Sequence, residues 1–324
     1  MGSLRQLDTE QQVALLFVIL FGLLLAASAL AAVRLLRERA GQDDARARRW
    51  RGELRALWIG ATVFWLAWVS GSVGATVLFG VVSFLALREY ITLLRTRAGD
   101  HRSLLLAFFV VLPVQYALVG SRSFDLFSVF IPVYMFLAIP VVSALAGDPE
   151  RFLERNAKIQ WGVMVCVYGL SHAPALLLLD FPRLQGRGAF LLFFLVVVVV
   201  CGQIGQALAR HWVRALPVAR QIDRGFSYRA FGAGLLVAGV AGVAMYWVTP
   251  FKPGQALAMA LIAAGAGALG EFVMSALKRD AGVSHWGNAV AITGAVGLLD
   301  RLAPLCFAAP VFFHSARWYF QLRA

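Results

Sequence analysis

Ser275-Ala-Leu-Lys278-Arg279-Asp280 closes an apolar run that starts near residue 255, and that junction decides what kind of molecule the chain makes. Ahead of it stand Ala, Leu, Met, Ile and Gly in an almost unbroken series, and then the chain turns charged at once. Ionisable groups are costly inside a bilayer and collect where a helix reaches water. The junction therefore reads as the mouth of a membrane-spanning helix.

The rest of the chain repeats the pattern. Of 324 residues, 60% are hydrophobic and 15% charged, and the mean hydropathy is +0.74. A soluble chain would carry about 25% charged residues. Apolar runs lie at roughly 13–33, 56–70, 72–87, 103–119, 124–146, 160–179, 188–209, 231–248, 255–277 and 302–318. They predict an all-α polytopic membrane protein of about ten transmembrane helices, with residues 1–324 as a single integral-membrane domain. The period-two alternation of a membrane barrel is absent. The second and third runs fall short of the roughly 20 residues a spanning helix needs, so they extend into their flanks or sit in a thinned bilayer. The first run is preceded by Asp8 and Glu10 rather than a basic segment and reads as a retained helix, not a leader.

Charge placement gives an orientation. If the loops after the first, third, fifth, seventh and ninth runs share one side, that side holds 23 of the 30 Lys and Arg. The exceptions are Arg5, Arg122, Arg183, Arg187, Lys252, Arg317 and Arg323. The positive-inside bias then places both termini outside and Lys278–Arg279 in the cytoplasm. The net charge of +13 follows from this bias, and it points to anionic headgroups rather than nucleic acid. The loop 34–55, rich in Arg, reads as a juxtamembrane connector, and residues 1–55 as an extra N-terminal helix and basic loop. Cys166, Cys201 and Cys306 all lie in apolar runs without metal-ligand spacing and read as small buried hydrophobes. Gly265-Ala-Gly-Ala-Leu-Gly270 has the letters of a dinucleotide fingerprint, but it lies inside a span with no strand before it. Close helix packing is the expected use of those glycines.

Several polar residues interrupt the spans. Glu271 and Lys278, two helical turns apart, lie on nearly one face. Glu271 reads either as the partner of an Arg from another helix or as a functional acid near a headgroup or cation. Gln203 and Gln206 read as interhelical hydrogen-bonding groups. Ser171-His172-Ala-Pro174 reads as a kink with its own polar caps, with a phosphate-facing role for His172 as the alternative. His101, His211 and His314 stand near span ends and read as interface residues.

The chain Gly270-Glu-Phe-Val-Met-Ser275-Ala-Leu-Lys278-Arg279-Asp280, then Ser284-His285-Trp-Gly287, then Thr293-Gly-Ala-Val-Gly297-Leu-Leu-Asp300-Arg301-Leu-Ala303 resembles the C-terminal signature of the phosphatidate cytidylyltransferases (CDP-diacylglycerol synthases). Spacing is kept without a gap. Val81-Val-Ser-Phe-Leu-Ala-Leu-Arg-Glu-Tyr90, Gly147-Asp-Pro149 and Leu170-Ser-His-Ala173 extend the resemblance over about residues 75–320. It implies a membrane enzyme that joins CTP to phosphatidate, releasing pyrophosphate, with Mg²⁺ as cofactor. In such a site Asp300, Lys278 and Arg279 would be catalytic. Arg301, Arg224, Arg229, Ser227 and Ser275 would bind substrate, and Asp300, Glu271 and His285 would hold the metal.

The departures fall on the same positions. Ser284-His285 replaces the family's Lys-Asp pair, Ala303 its final Asp, Gln203 an Asp of the seventh span and Glu271 another Asp; Asp300 alone is unchanged. In the stretch Asp223-Arg-Gly-Phe226-Ser-Tyr-Arg229, Phe226 replaces a Lys and Arg229 a Glu, while Ala295 replaces a His. Nucleotidyl transfer needs cations that bridge phosphate oxygens, and hard cations take carboxylates. Arg224 and Arg229 can still hold phosphate as fixed cations.

The resulting expectation is a divergent member of the family in the bacterial inner membrane. It would hold an acidic lipid head or a nucleotide at a cytoplasm-facing site, with the standard transfer lost or weakened and no cofactor then required. An active synthase with a rearranged cation site, using Mg²⁺, is the first alternative. A non-catalytic assembly partner of another lipid enzyme is the second. The expected partners are the phospholipid membrane, phosphatidate or another acidic lipid, and CTP, with a homodimer left open.

Overall fold

The computed structural model describes residues 9–37, 58, 60–62, 65–67, 69–94, 96–179, 188–212, 216–283, 286 and 297–321. The described residues form helices joined by short turns, with one isolated bridge. The chain divides into two units, Met1–Gly71 and Ser72–Ala324. In the first, α1 (Thr9–Arg37) packs against helical turns within 58–69. Phe17 meets the edge of Trp65 at 4.8 Å, and the Trp58 indole donates to Ser28 Oγ over 3.1 Å. The basic stretch 38–57 lies outside the described residues.

Gly71 marks the boundary. Its φ of 68° is the left-handed conformation that favours glycine, so the turns before it cannot run on into the next helix. Beyond it come α2 (Gly71–Thr92), α3 (Ala98–Gly120), α4 (Phe124–Ala144), α5 (Phe152–Leu178), α6 (Gly188–Trp212), α7 (Tyr228–Ala244), α8 (Pro253–Asp280) and α9 (Leu298–Phe320). Among the described residues, α2 to α6 and α8 have the length and composition to cross a membrane, which makes the chain a polytopic all-α membrane protein. The short third run, expected at 72–87, is a helix of 22 residues because Arg88, Glu89 and Tyr90 continue it. Among the described residues, six of the ten expected spans thus meet both the length and the composition of a membrane-crossing helix. α7 is apolar but has only 17 residues, and α9 carries Pro304, Pro310, His314 and Arg317 in its length.

Small residues let the helices close up. A Cβ on Gly202 of α6 would come within 3.1 Å of Ala264 on α8, and one on Gly205 within 2.8 Å of Val237 on α7. Gly270 lies flat against the Phe307 side chain of α9, so the glycine run serves packing, as expected. Cys166 and Cys306 are buried and Cys201 half-buried, and all three are free. Three helices contain π-helical stretches, at Ala107–Val111, Phe130–Met135 and Val163–Gly169. In the last of these the Cys166 carbonyl accepts from Ser83 Oγ of α2.

Loop contacts fix which helix ends lie together in the second unit. Arg155 of α5 is 6% exposed and pairs with Asp100 at 2.7 Å and Asp148 at 2.8 Å. It also donates to the Glu150 carbonyl over 2.7 Å, while Arg97 pairs with Glu150 at 2.6 Å. The turn after α2 and the turn after α4 are therefore locked to one another. Glu89 joins the end of α2 to the start of α9, and Arg279 joins the end of α8 to the turn 216–227. The turns expected on one side after the third, fifth, seventh and ninth runs thus share one end of this unit. At the other end Arg317 pairs with Asp125 and Gln255 donates to Tyr319 Oη over 2.6 Å.

Candidate functional site

The end of α8 is shaped by its own sequence. Gly282, at φ 72°, donates to the Arg279 carbonyl over 3.1 Å, and Val283 donates to the Lys278 carbonyl over 2.9 Å. This left-handed cap stops the helix and satisfies its last carbonyls. Lys278 and Arg279 consequently occupy the final turn, where the helix dipole favours cations. Lys278 Nζ lies 2.7 Å from Asp300 Oδ1, in the first turn of α9. The second oxygen, Oδ2, accepts from the backbone N–H of Trp286 over 2.9 Å. Both oxygens of Asp300 are therefore engaged by donors of the protein. Ser275 is half-buried one turn earlier on α8, and Arg301 is exposed beside Asp300.

Arg279 Nε donates to the Ile222 carbonyl over 3.4 Å and brings the turn 216–227 to this end. That turn closes on itself through Val218 N–H to the Phe226 carbonyl, 2.9 Å, and through Gly225 N–H to Asp223 Oδ1, 2.7 Å. The Arg210 guanidinium of α6 lies against Gly225, where any Cβ would meet it at 2.9 Å. Arg224 and Arg229 point outward and are exposed. Ser227 is buried, and its hydroxyl accepts from Ala230 N–H over 3.2 Å as the N-cap of α7, so its group serves the helix. Phe226 is buried and stacks on Phe272 of α8 at 4.5 Å. An aromatic pair thus stands where the resemblance expects a lysine.

Gln203 Nε2 donates to Glu271 Oε2 over 3.3 Å, joining α6 to α8. Among the described residues, the partner of Glu271 is this amide rather than an Arg. Gln206 is buried with its Cβ against Gly234, where α6 and α7 meet. Ala303 is buried in α9. Ser284, His285 and Ala295 lie outside the described residues. Among those that are described, no three His, Cys, Asp or Glu side chains converge as metal ligands. Glu271 thus engages the Gln203 amide and Asp300 two protein donors, while His285, the third residue of the expected metal set, lies outside the described residues.

His172 belongs to the other half of the bundle. It is fully buried; its Nδ1 donates to the Tyr168 carbonyl over 2.7 Å and its Nε2 lies 3.2 Å from His314 Nε2. Ser171 Oγ donates to the same carbonyl over 2.8 Å, so the polar pair caps the π-helical turn ahead of Pro174. His314 follows Asp300 on α9 by about 21 Å of helix axis at 1.5 Å per residue. His172 is therefore remote from the basic end and has no phosphate-facing position there.

Sequence reasoning passed over Glu89. It is 3% exposed, and its two oxygens accept from Leu298 N–H at 3.1 Å and Leu299 N–H at 3.2 Å. The available signal was a carboxylate at the C-terminal end of an apolar helix, where its own helix dipole opposes it.

Comparison with known proteins agrees with this organisation. A sequence model described as the cytidylyltransferase family matches residues 53–319. The Escherichia coli (strain K12) protein named "Uncharacterized protein YnbB" is 34% identical over 263 residues, which cover 81% of this chain and 85% of that protein.

Proposed function

The chain belongs to the cytidylyltransferase family, and from that membership we propose that it holds an acidic phospholipid headgroup or a nucleotide at the basic end of its bundle, with cytidylyl transfer lost or greatly weakened. The observation that carries the second half is the state of the acids. Glu271 is bonded to the Gln203 amide, at 3.3 Å, and Asp300 is closed by Lys278 and Trp286 N–H. By resemblance the first contact would be two carboxylates, which need a bridging cation to stay together. The amide supplies that link without one. Protein donors on both Glu271 and Asp300 leave little of these two acids for a metal-bound phosphate, and transfer of this kind depends on such electrostatic stabilisation.

The first half rests on the cations. Lys278 and Arg279 end α8, Arg301 follows Asp300 on α9, and Arg224 and Arg229 belong to the turn that Arg279 touches and the start of the helix after it; cations at a membrane surface favour an anionic headgroup. The excess of Lys and Arg on this side supports a cytoplasmic orientation, while the family match and the Escherichia coli relative support a bacterial inner membrane and a role in phospholipid metabolism.

The test is an assay of the purified full chain with CTP, phosphatidate and Mg²⁺. The expected outcome is saturable binding of phosphatidate with negligible CDP-diacylglycerol. Robust Mg²⁺-dependent turnover that Asp300→Asn abolishes would instead establish an active synthase.

A further inference from the structure

Glu89 and Tyr90 are neighbours at the end of α2, and each reaches one flank of Asp300. Glu89 takes the first two backbone N–H groups of α9, at 3.1 and 3.2 Å, and so fixes where that helix starts. Asp300 stands in this first turn. The Tyr90 ring is buried against Trp286, with centroids 5.3 Å apart, and Trp286 N–H donates to Asp300 Oδ2. A carboxylate at the C-terminal end of α2 opposes its own helix dipole, and the start of α9 is the positive pole that offsets this. Because Glu89 occupies that pole, the N–H groups of Leu298 and Leu299 are not open to a phosphate.

From this we propose that Glu89 is a positioning residue of the basic site: through the start of α9 it sets Asp300 against Lys278 and thereby holds the ammonium toward an anionic headgroup. The inference rests on the headgroup reading above. With Glu89 removed, α9 loses its cap, Asp300 leaves Trp286 N–H, and Lys278 loses its fixed partner.

The experiment uses the full chain in nanodiscs, with two readouts on wild type, Glu89→Ala, Glu89→Gln and Ser83→Ala. Ser83→Ala is the control, since it deletes a different contact of α2, the bond to the Cys166 carbonyl. The first readout is affinity for short-chain phosphatidate; the second is amide exchange at Trp286, Leu298, Leu299 and, as a reference at the other end of the unit, Phe127, whose N–H donates to the Ser123 carbonyl over 2.8 Å. Glu89→Ala is expected to bind about tenfold more weakly and to lose protection at Trp286 as well as at Leu298 and Leu299, with Phe127 unchanged. Glu89→Gln, which keeps one acceptor, should fall between, and it serves if the alanine variant fails to fold. Ser83→Ala should bind within about twofold of wild type. Wild-type affinity in both Glu89 variants, or a fall of the same size in Ser83→Ala, overturns the positioning role. If the wild type binds no phosphatidate, the headgroup reading fails. The exchange data then decide alone: unchanged protection at Trp286 overturns the link from Glu89 to Asp300, and its loss supports that link.

Discussion

The side-chain amide of Gln203 donates to the carboxylate of Glu271 over 3.3 Å, tying α6 to α8. The amide makes the contact attractive without any ion. Replacing it with Asp places two carboxylates at the same spot. Gln203→Asp should therefore lower stability by about 1 kcal/mol, the low end of the cost of an unmatched polar group, because both side chains are half-buried. Added Mg²⁺ or Mn²⁺ should recover part of the loss, and chelator should restore the defect. Thermal melts in detergent with and without metal check this; a melt insensitive to both the substitution and the metal would refute it.

Arg155 is the keystone of the turn network, with Asp100 2% exposed beside it. Breaking a buried pair by removing one partner leaves an uncompensated charge and costs about 3–5 kcal/mol. Arg155→Ala should accordingly reduce the yield of folded protein sharply. The double change Arg155→Met with Asp100→Asn removes both charges and should recover much of it. Size-exclusion profiles of fluorescent fusions would report both, and a double variant no better than the single would contradict the account.

Gly169 of α5 touches the backbone carbonyl of Cys306 on α9, which no change of rotamer can move. Gly169→Ala should cost about 1–3 kcal/mol through forced separation of the two helices. Gly232 of α7, where an added Cβ meets nothing within 4 Å, is the comparison. Gly232→Ala should stay within about 0.5 kcal/mol of the parent. Equal melting shifts for the two variants would mean that the α5–α9 approach is looser than described.

Single cysteines at Glu150 and Arg224, placed in a background without the three natural ones, should react with an impermeant maleimide only after cells are permeabilised. A cysteine at Ser121 should react in intact cells. α3 starts beside Asp100 and covers about 34 Å before this turn, at 1.5 Å per residue. Labelling of Glu150→Cys and Arg224→Cys from opposite sides would break the shared end that Arg155, Glu89 and Arg279 establish.

The local features of the site were legible in the sequence. The change from apolar to charged residues put Lys278 and Arg279 at the mouth of α8, and the resemblance brought Asp300 to the same place; the left-handed cap at Gly282 that stops the helix came from the structure. Ser227 was legible only as a hydroxyl in a matched motif; its use as the cap of α7 became clear once the turn 216–227 was seen to fold back through Phe226. Glu271 was recognised as an expensive charge, but its partner was not, because nothing in α8 says which residue of α6 faces it.

Taken alone, the sequence determined the helical membrane class, the position of most spans and the basic side. Hydrophobicity and charge act over one helix and its flanks, and both can be read from consecutive residues. The tertiary structure decided which ends meet and which partners the acids take: Glu89 under the start of α9, Arg155 between two turns, Gln203 against Glu271 and Trp286 N–H on Asp300. Each of these contacts depends on how helices rotate and pack against one another. In a bilayer that choice is made by the shape of small residues and by a few buried hydrogen bonds, which leave almost no trace in hydropathy.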